Sequence, residues 1–229
     1  MSKSEKNNKK IAILHPDLGI GGAENLIINV ALGLESKGYK VKIYTPHFDP
    51  NRCFEECHKL DIEVRGNIFP RTIFGRLIAF CAYIRMLLCA IWVVVNMGNE
   101  YDYFILDQVS FPIPILKWRN PKVLFYCHFP DKLLSTNRGS IIMKIYRFFL
   151  DLAEEITTGM AHTIVVNSNF TLGIFRQNFS IIAASTKKEE QPGLVYKTHV
   201  PEILYPPINL KVFEKSKDFN MPIEELLNK

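Results

Sequence analysis

Short apolar runs that stop at a proline or a polar residue, each followed by a helical stripe, constrain this chain more than any other feature. Ile11 to His15 is the first such run, and Pro16 ends it. The loop Asp17-Leu-Gly-Ile-Gly-Gly22 follows. Ala23, Leu26, Ile27, Val30, Ala31 and Leu34 then recur on one helical face, closed by Lys37 and Gly38. An apolar run without polar alternation suits a strand covered on both faces. The i, i+3, i+4 recurrence suits a helix that packs on one side.

The pattern returns along the chain. Strands are expected at 41–44, 62–64, 103–106, 123–127, 163–166 and 199–204, and helices from about Ile73, over 140–158 and over 170–177. In the second of these helices Ile141, Ile145, Phe148, Phe149, Leu152 and Ile156 form one stripe, opposite Lys144, Arg147, Asp151 and Glu155. Strands alternating with helices imply parallel pairing through right-handed crossovers. The expected architecture is α/β, a Rossmann-like parallel sheet flanked by helices. At 48% hydrophobic and 22% charged, the 229 residues carry enough apolar surface for a packed core. Residues 1–10 are expected to be a disordered basic arm and 11–205 one domain. Ser180 to Lys197 suggests a polar surface loop, and 206–229, opening on Pro206-Pro207, a linker.

The net charge of +5 is too mild to imply nucleic acid, and its distribution is more informative. From Val64 to Asn99 there are four arginines and no acid, and from Lys117 to Arg147 seven basic residues and one acid, Asp131. Both stretches are also apolar. That combination suits an anionic membrane surface or a lipid phosphate, and equally a core helix whose arginines reach solvent. No secretory signal follows the basic start, because only Ile11 to Leu14 are apolar before His15. Between Ile73 and Met97 the longest clean run is Met86 to Val95, with Arg85 in the middle of any spanning window. This favours a helix lying in or against the membrane interface over a true span. Arg76, Arg85 and Trp92 are expected on its membrane-facing side. The five cysteines fit a reducing compartment, and Cys53-x3-Cys57-His58 is too small a set for zinc.

Ligands of an open parallel sheet sit beyond the carboxyl ends of its strands. Gly19, Gly21 and Gly22 lie there, before a helix N-terminus, where phosphate is the natural guest and a ligand-free tight turn is the alternative. Glu24 stands where a dinucleotide fingerprint needs its third glycine, and no Walker lysine follows. His128 ends an apolar strand at the same edge and leads into Phe129-Pro130-Asp131, placed to meet a ligand hydroxyl or relay a proton. His15 falls at the same level. Asn167 and Ser168, after a later strand, suit either sugar binding or capping of the next helix.

His15-Pro-Asp-Leu-Gly-Ile-Gly-Gly-Ala-Glu24, Tyr126-Cys-His-Phe-Pro-Asp131, Val165-Val-Asn-Ser-Asn-Phe-Thr171 and Tyr205-Pro-Pro-Ile-Asn209 occur in this order. Over roughly residues 10 to 213 the chain closely resembles the N-terminal half of family-four GT-B glycosyltransferases. Among these it is similar to the α1,3/1,6-mannosyltransferases of the dolichol-linked oligosaccharide pathway. The resemblance implies transfer of mannose, with retention, from GDP-mannose as donor substrate to dolichyl-diphosphate-linked Man-GlcNAc2, α1,3 and then α1,6. It implies no cofactor and no metal. It places the enzyme at the cytosolic face of the endoplasmic reticulum membrane, with other enzymes of the pathway as partners and no nucleic acid. By the same resemblance Gly21 and Gly22 face donor diphosphate and acceptor and His128 contacts the transferred sugar; Asp131, Asn167 and Ser168 are further candidate substrate-binding residues. The family's Glu-x7-Glu donor motif belongs to a second domain. Glu55 and Glu63 share its spacing but lie between early strands without the Phe-Gly that follows the first Glu. The chain is therefore expected to hold the acceptor-side half. A second function class stays open: a non-catalytic membrane-bound module that binds lipid-linked sugar or a donor-domain partner.

Overall fold

A computed structural model describes residues 8–119, 122–134, 140–179 and 201–207. The strands are β1 (Lys10–Leu14), β2 (Lys40–Thr45), β3 (Ile62–Val64), β4 (Tyr103–Asp107), β5 (Lys122–Cys127), β6 (Thr163–Val166) and β7 (Glu202–Ile203). The helices are α1 (Gly22–Ser36), α2 (Ile78–Met97), α3 (Ile113–Leu116), α4 (Asp131–Leu134), α5 (Ile141–Gly159) and α6 (Asn169–Asn178). All seven strands pair in parallel in the order β3-β2-β1-β4-β5-β6-β7. The order reverses between β1 and β4, which opens a crevice beyond their carboxyl ends. The expected α/β architecture is thus the observed one. The basic arm as far as residue 7, the polar loop at 180–197 and the segment beyond 207 lie outside the described residues.

Strand alternation divides the core in two. Ile11, Ile13, Val41 and Ile43 point to the side covered by Leu26, Ile27 and Ala31 of α1. Ala12, Leu14, Phe104, Leu106, Val123 and Phe125 point to the other side, where Met86, Cys89, Ala90 and Val93 of α2 meet Leu150 of α5 and Phe175 of α6. Each parallel strand is therefore apolar on both faces, which is why the runs read as continuous.

Three expectations are corrected. The long helix begins at Ile78 rather than Ile73. Residues 73–77 form a tight turn, with Ile73 bridged to Arg76 and positive φ at Phe74, Gly75 and Leu77. The helix is long and apolar enough to cross a membrane by length and composition. Instead, Cys81, Tyr83, Arg85, Met86, Cys89, Ala90, Val93 and Val94 are buried against the sheet. Arg85, expected to face a membrane, is itself buried and donates from Nη2 to the Pro46 carbonyl. Trp92 is half-buried, tilted against the Tyr44 ring 6.1 Å away, with the Arg65 guanidinium 3.9 Å from its own ring centre. Arg76 is exposed.

The stripe of α5 is oriented opposite to the habit of a soluble helix. Ile141, Ile142, Ile145, Phe148 and Phe149 are between 56% and 78% exposed, while Arg147, Glu154, Glu155, Thr157 and Thr158 are buried. Much of the buried polar face is partnered by the chain itself. Arg147 Nη2 pairs with Asp131 at 3.2 Å and Asp151 at 2.9 Å, and Thr157 Oγ1 lies 2.9 Å from Ser110 Oγ. Buried polar groups need such partners, and they decide which side of this helix faces inward.

Candidate active site

The sheet register brings three titratable side chains together at its carboxyl edge. Leu14 pairs with Leu106, and Asp107 pairs with Tyr126. The residue after β1, His15, therefore stands beside Asp107 at the end of β4, and His128 follows β5 one residue on. All three lie on the α1 side of the sheet, by the same alternation that places Ile13 and Tyr126 there. Asp107 Oδ2 lies 2.8 Å from His15 Nδ1, and its Oδ1 lies 2.8 Å from His128 Nε2. Asp107 and His15 are fully buried, whereas His128 is one-fifth exposed toward the cleft.

Burial opposes charge on both inner groups, yet their mutual contacts prevail. The Asp107 carboxyl is held below its ordinary range, because hydrogen bonds from His128 and His15 outweigh the cost of burial. For His15, burial lowers the pKa, but Asp107 and Glu24 raise it more, to about 9. Glu24 Oε1 stands 4.0 Å from His15 Nε2, an ion-pair distance. That contact holds the Glu24 carboxyl below its usual range.

Glu24 also explains the glycine turn. A Cβ on Gly21 would fall 2.2 Å from Glu24 Oε2, so the missing side chain is what lets the carboxylate rest there. Gly21 is extended at φ −161°, and no left-handed conformation is involved. The first turn of α1, which the sequence offered to a phosphate, thus holds the chain's own carboxylate. A methyl at Gly22 would meet nothing within 4 Å.

A cleft of about 1720 Å³ opens beside this edge. Its lining includes the polar His128, Asp131, Tyr83 and Arg147, the arginines Arg71, Arg76 and Arg85, and the apolar Phe74, Leu77, Ile78, Leu134 and Ile142. Asp17 accepts from Arg71 Nη2 at 2.6 Å and contacts His47 Nδ1 at 2.8 Å. Asp131 is anchored by Tyr83 Oη and Arg147 Nη2, each 3.2 Å from its Oδ2. Its own N–H and that of Lys132 donate to Glu154 Oε1 and Oε2 at 2.7 and 2.9 Å. Burial, reinforced by the nearby Asp131 charge, pushes Glu154 up to about 7.

Asn167 and Ser168 are brought to the same edge but turn their groups inward. Asn167 Nδ2 donates to the His128 carbonyl at 3.0 Å, and Ser168 Oγ accepts from the Thr171 N–H at 3.2 Å as the cap of α6. They shape the loop that carries His128. Asp107 was missed by the sequence reading, as was the strained Gln108 beside it, with φ at +62°. The available signal was an acid closing an apolar strand at the level of His15 and His128.

The sucrose-phosphate synthase from Thermosynechococcus elongatus shares the fold with a TM-score of 0.58 at 16% identity, over 94% of this chain and 53% of that one. The alpha-1,3/1,6-mannosyltransferase ALG2 of Dictyostelium discoideum is 48% identical over 235 residues, covering 99% of this chain and 52% of that protein. The ALG2 of Homo sapiens is 42% identical over 209 residues, covering 89% of this chain and 46% of its own length. The chain spans about half the length of the curated relatives it matches. The family model described as Glycosyltransferase Family 4 matches residues 20–186, and by that match, on this sheet, the chain belongs to Glycosyltransferase Family 4.

Proposed function

We propose that this chain is the acceptor-side half of a mannosyltransferase of N-glycan precursor assembly. The reaction moves mannose from GDP-mannose to dolichyl-diphosphate-linked Man-GlcNAc2, α1,3 and then α1,6, with retention. The observation that carries this reading is the mixed lining of the cleft. A polyprenyl-diphosphate sugar is polar at one end, doubly charged in the middle and apolar at the other. The cleft offers hydrogen-bonding groups around His128 and Asp131, guanidinium groups at Arg71 and Arg76, and apolar side chains at Phe74, Leu77, Ile78 and Ile142. Arginine suits phosphate oxygens through paired N–H donors. The relatives named alpha-1,3/1,6-mannosyltransferase support mannose as the transferred sugar.

In this reading His128 touches the transferred sugar, and Asp131 and the arginines orient the acceptor. Fixed donors and cations stabilise the departing diphosphate. The outward stripe of α5, with Phe74 and Ile78 near the cleft, forms an apolar face larger than scattered surface residues explain. It rests on the membrane, at the cytosolic face of the endoplasmic reticulum, where the other enzymes of the pathway act. Ile142 belongs both to that face and to the cleft lining, so a lipid-anchored acceptor enters without leaving the bilayer.

A transfer assay tests the reading. The chain, joined to a family donor domain, is given GDP-mannose and Man-GlcNAc2-diphosphate-phytanyl. Mannose transfer is expected, and His128→Ala lowers turnover at least about tenfold while membrane association persists. Undiminished turnover in that variant makes the histidine structural. Binding of acceptor with no transfer in any pairing leaves the chain a lipid-sugar-binding module.

A further inference from the structure

The two inner partners of His128 have no role in the reaction as described so far. Asp107 is fully buried, and each of its oxygens lies 2.8 Å from a histidine nitrogen. His15 continues the line to Glu24, and Gly21 leaves room for the Glu24 carboxylate. A buried carboxylate is tolerated only with close hydrogen-bond donors or cations. A nitrogen lone pair 2.8 Å from an ionised carboxylate oxygen is repelled, so both ring nitrogens facing Asp107 carry hydrogen.

We infer that Asp107 is a positioning residue that holds His128 in the Nε2–H form, so that Nδ1 is the nitrogen left to accept a hydrogen bond from a ligand in the cleft. His128 Nε2 is buried, and Asp107 Oδ1, 2.8 Å away, is the charged group it faces. A neutral imidazole protonated at Nε2 carries its lone pair on Nδ1. The Tyr126 ring, 4.8 Å from the imidazole centre, and the Asn167 amide on the His128 carbonyl fix the ring and its backbone. His15, charged between Asp107 and Glu24, keeps Asp107 ionised. The Gly21–Glu24–His15–Asp107–His128 line thus ties the first helix turn to the cleft. The expected Nδ1 contact is an acceptor or donor-sugar hydroxyl. That consequence rests on the transferase reading, whereas the tautomer does not.

The test is the nitrogen NMR spectrum of the imidazoles in this chain, with His128→Gln and His15→Gln used for assignment. Neutral His128 is expected as a single Nε2–H tautomer, and His15 keeps both nitrogens protonated at pH 7.5. Asp107→Asn mixes the His128 tautomers and lowers the titration of His15. A wild-type His128 protonated at Nδ1 overturns the inference, and so does an unchanged His128 signal in a folded Asp107→Asn variant. Should that variant fail to fold, the wild-type spectrum decides by itself. Where transfer is measurable, Asp107→Asn lowers kcat about a hundredfold, with acceptor KM within about threefold. Loss of the tautomer overturns the positioning role. Loss of transfer in every variant, with the tautomer intact, overturns only the transferase reading.

Discussion

Single side chains at the carboxyl edge carry opposing pH dependences. The His15 pKa rises from 6.5 to about 9 on folding, against its own burial, because of Asp107 and Glu24. Its contribution to stability is complete below pH 6.5 and is lost as pH rises through about 9. Asp107 shifts the other way. Its contribution is present above the ordinary carboxylate value of 3.8 and is lost as acid passes through its lowered folded pKa. The expected outcome is a melting temperature that falls between pH 6.5 and 9, with a slope that His15→Asn removes. Equal slopes in both proteins assign the fall to other groups. His128 was legible in the sequence because a histidine closing an apolar strand is conspicuous. Asp107 closes an apolar strand as well, but an acid in that place does not by itself name its partners. Its partners come from β1 and β5, and only the parallel register brings them together.

At the scale of elements, β1, β2, β3, β5 and β6 were readable nearly residue by residue, since prolines, glycines and polar residues bracket them. The start of α2 was not. Ile73 to Leu77 continue the apolar composition of the helix, and only the positive φ angles at Phe74, Gly75 and Leu77 separate turn from helix. For α5 the sequence showed two faces without showing which is inward. The polar face is buried because the start of α4, at Asp131 and Lys132, bonds to Glu154 and Arg147. Packing of α2 depends on one backbone approach. Gly66 has φ of +84°, and a Cβ there would fall 2.3 Å from the Arg85 carbonyl oxygen and 2.8 Å from the Cys89 nitrogen. Both are backbone atoms and cannot rotate away. Gly66→Ala is expected to cost at least about 2 kcal/mol, read as a lower denaturation midpoint at constant slope. A change below about 0.5 kcal/mol contradicts the packing described.

The whole molecule presents a sheet edge, a cleft and an apolar face in one continuous region. His128, Asp131 and the arginines line the cleft with Phe74, Ile78, Leu134 and Ile142, the last four exposed. The face formed by α5 exposes its apolar side chains, with Arg147, Glu154 and Glu155 turned into the protein and Lys144 left exposed, which suits an interface between water and lipid. Family membership follows from the match over residues 20–186, while the ligand class proposed for the chain rests on the residue pattern and the cleft. The most direct measurement is partition of the chain onto lipid vesicles with and without Man-GlcNAc2-diphosphate-phytanyl. The acceptor is expected to raise partition about tenfold, the equivalent of one good charge-assisted contact. Arg71→Ala with Arg76→Ala removes that increment, and Phe148→Glu with Phe149→Glu removes binding to both kinds of vesicle. Equal partition of the wild-type chain onto the two kinds of vesicle contradicts an acceptor site in this cleft.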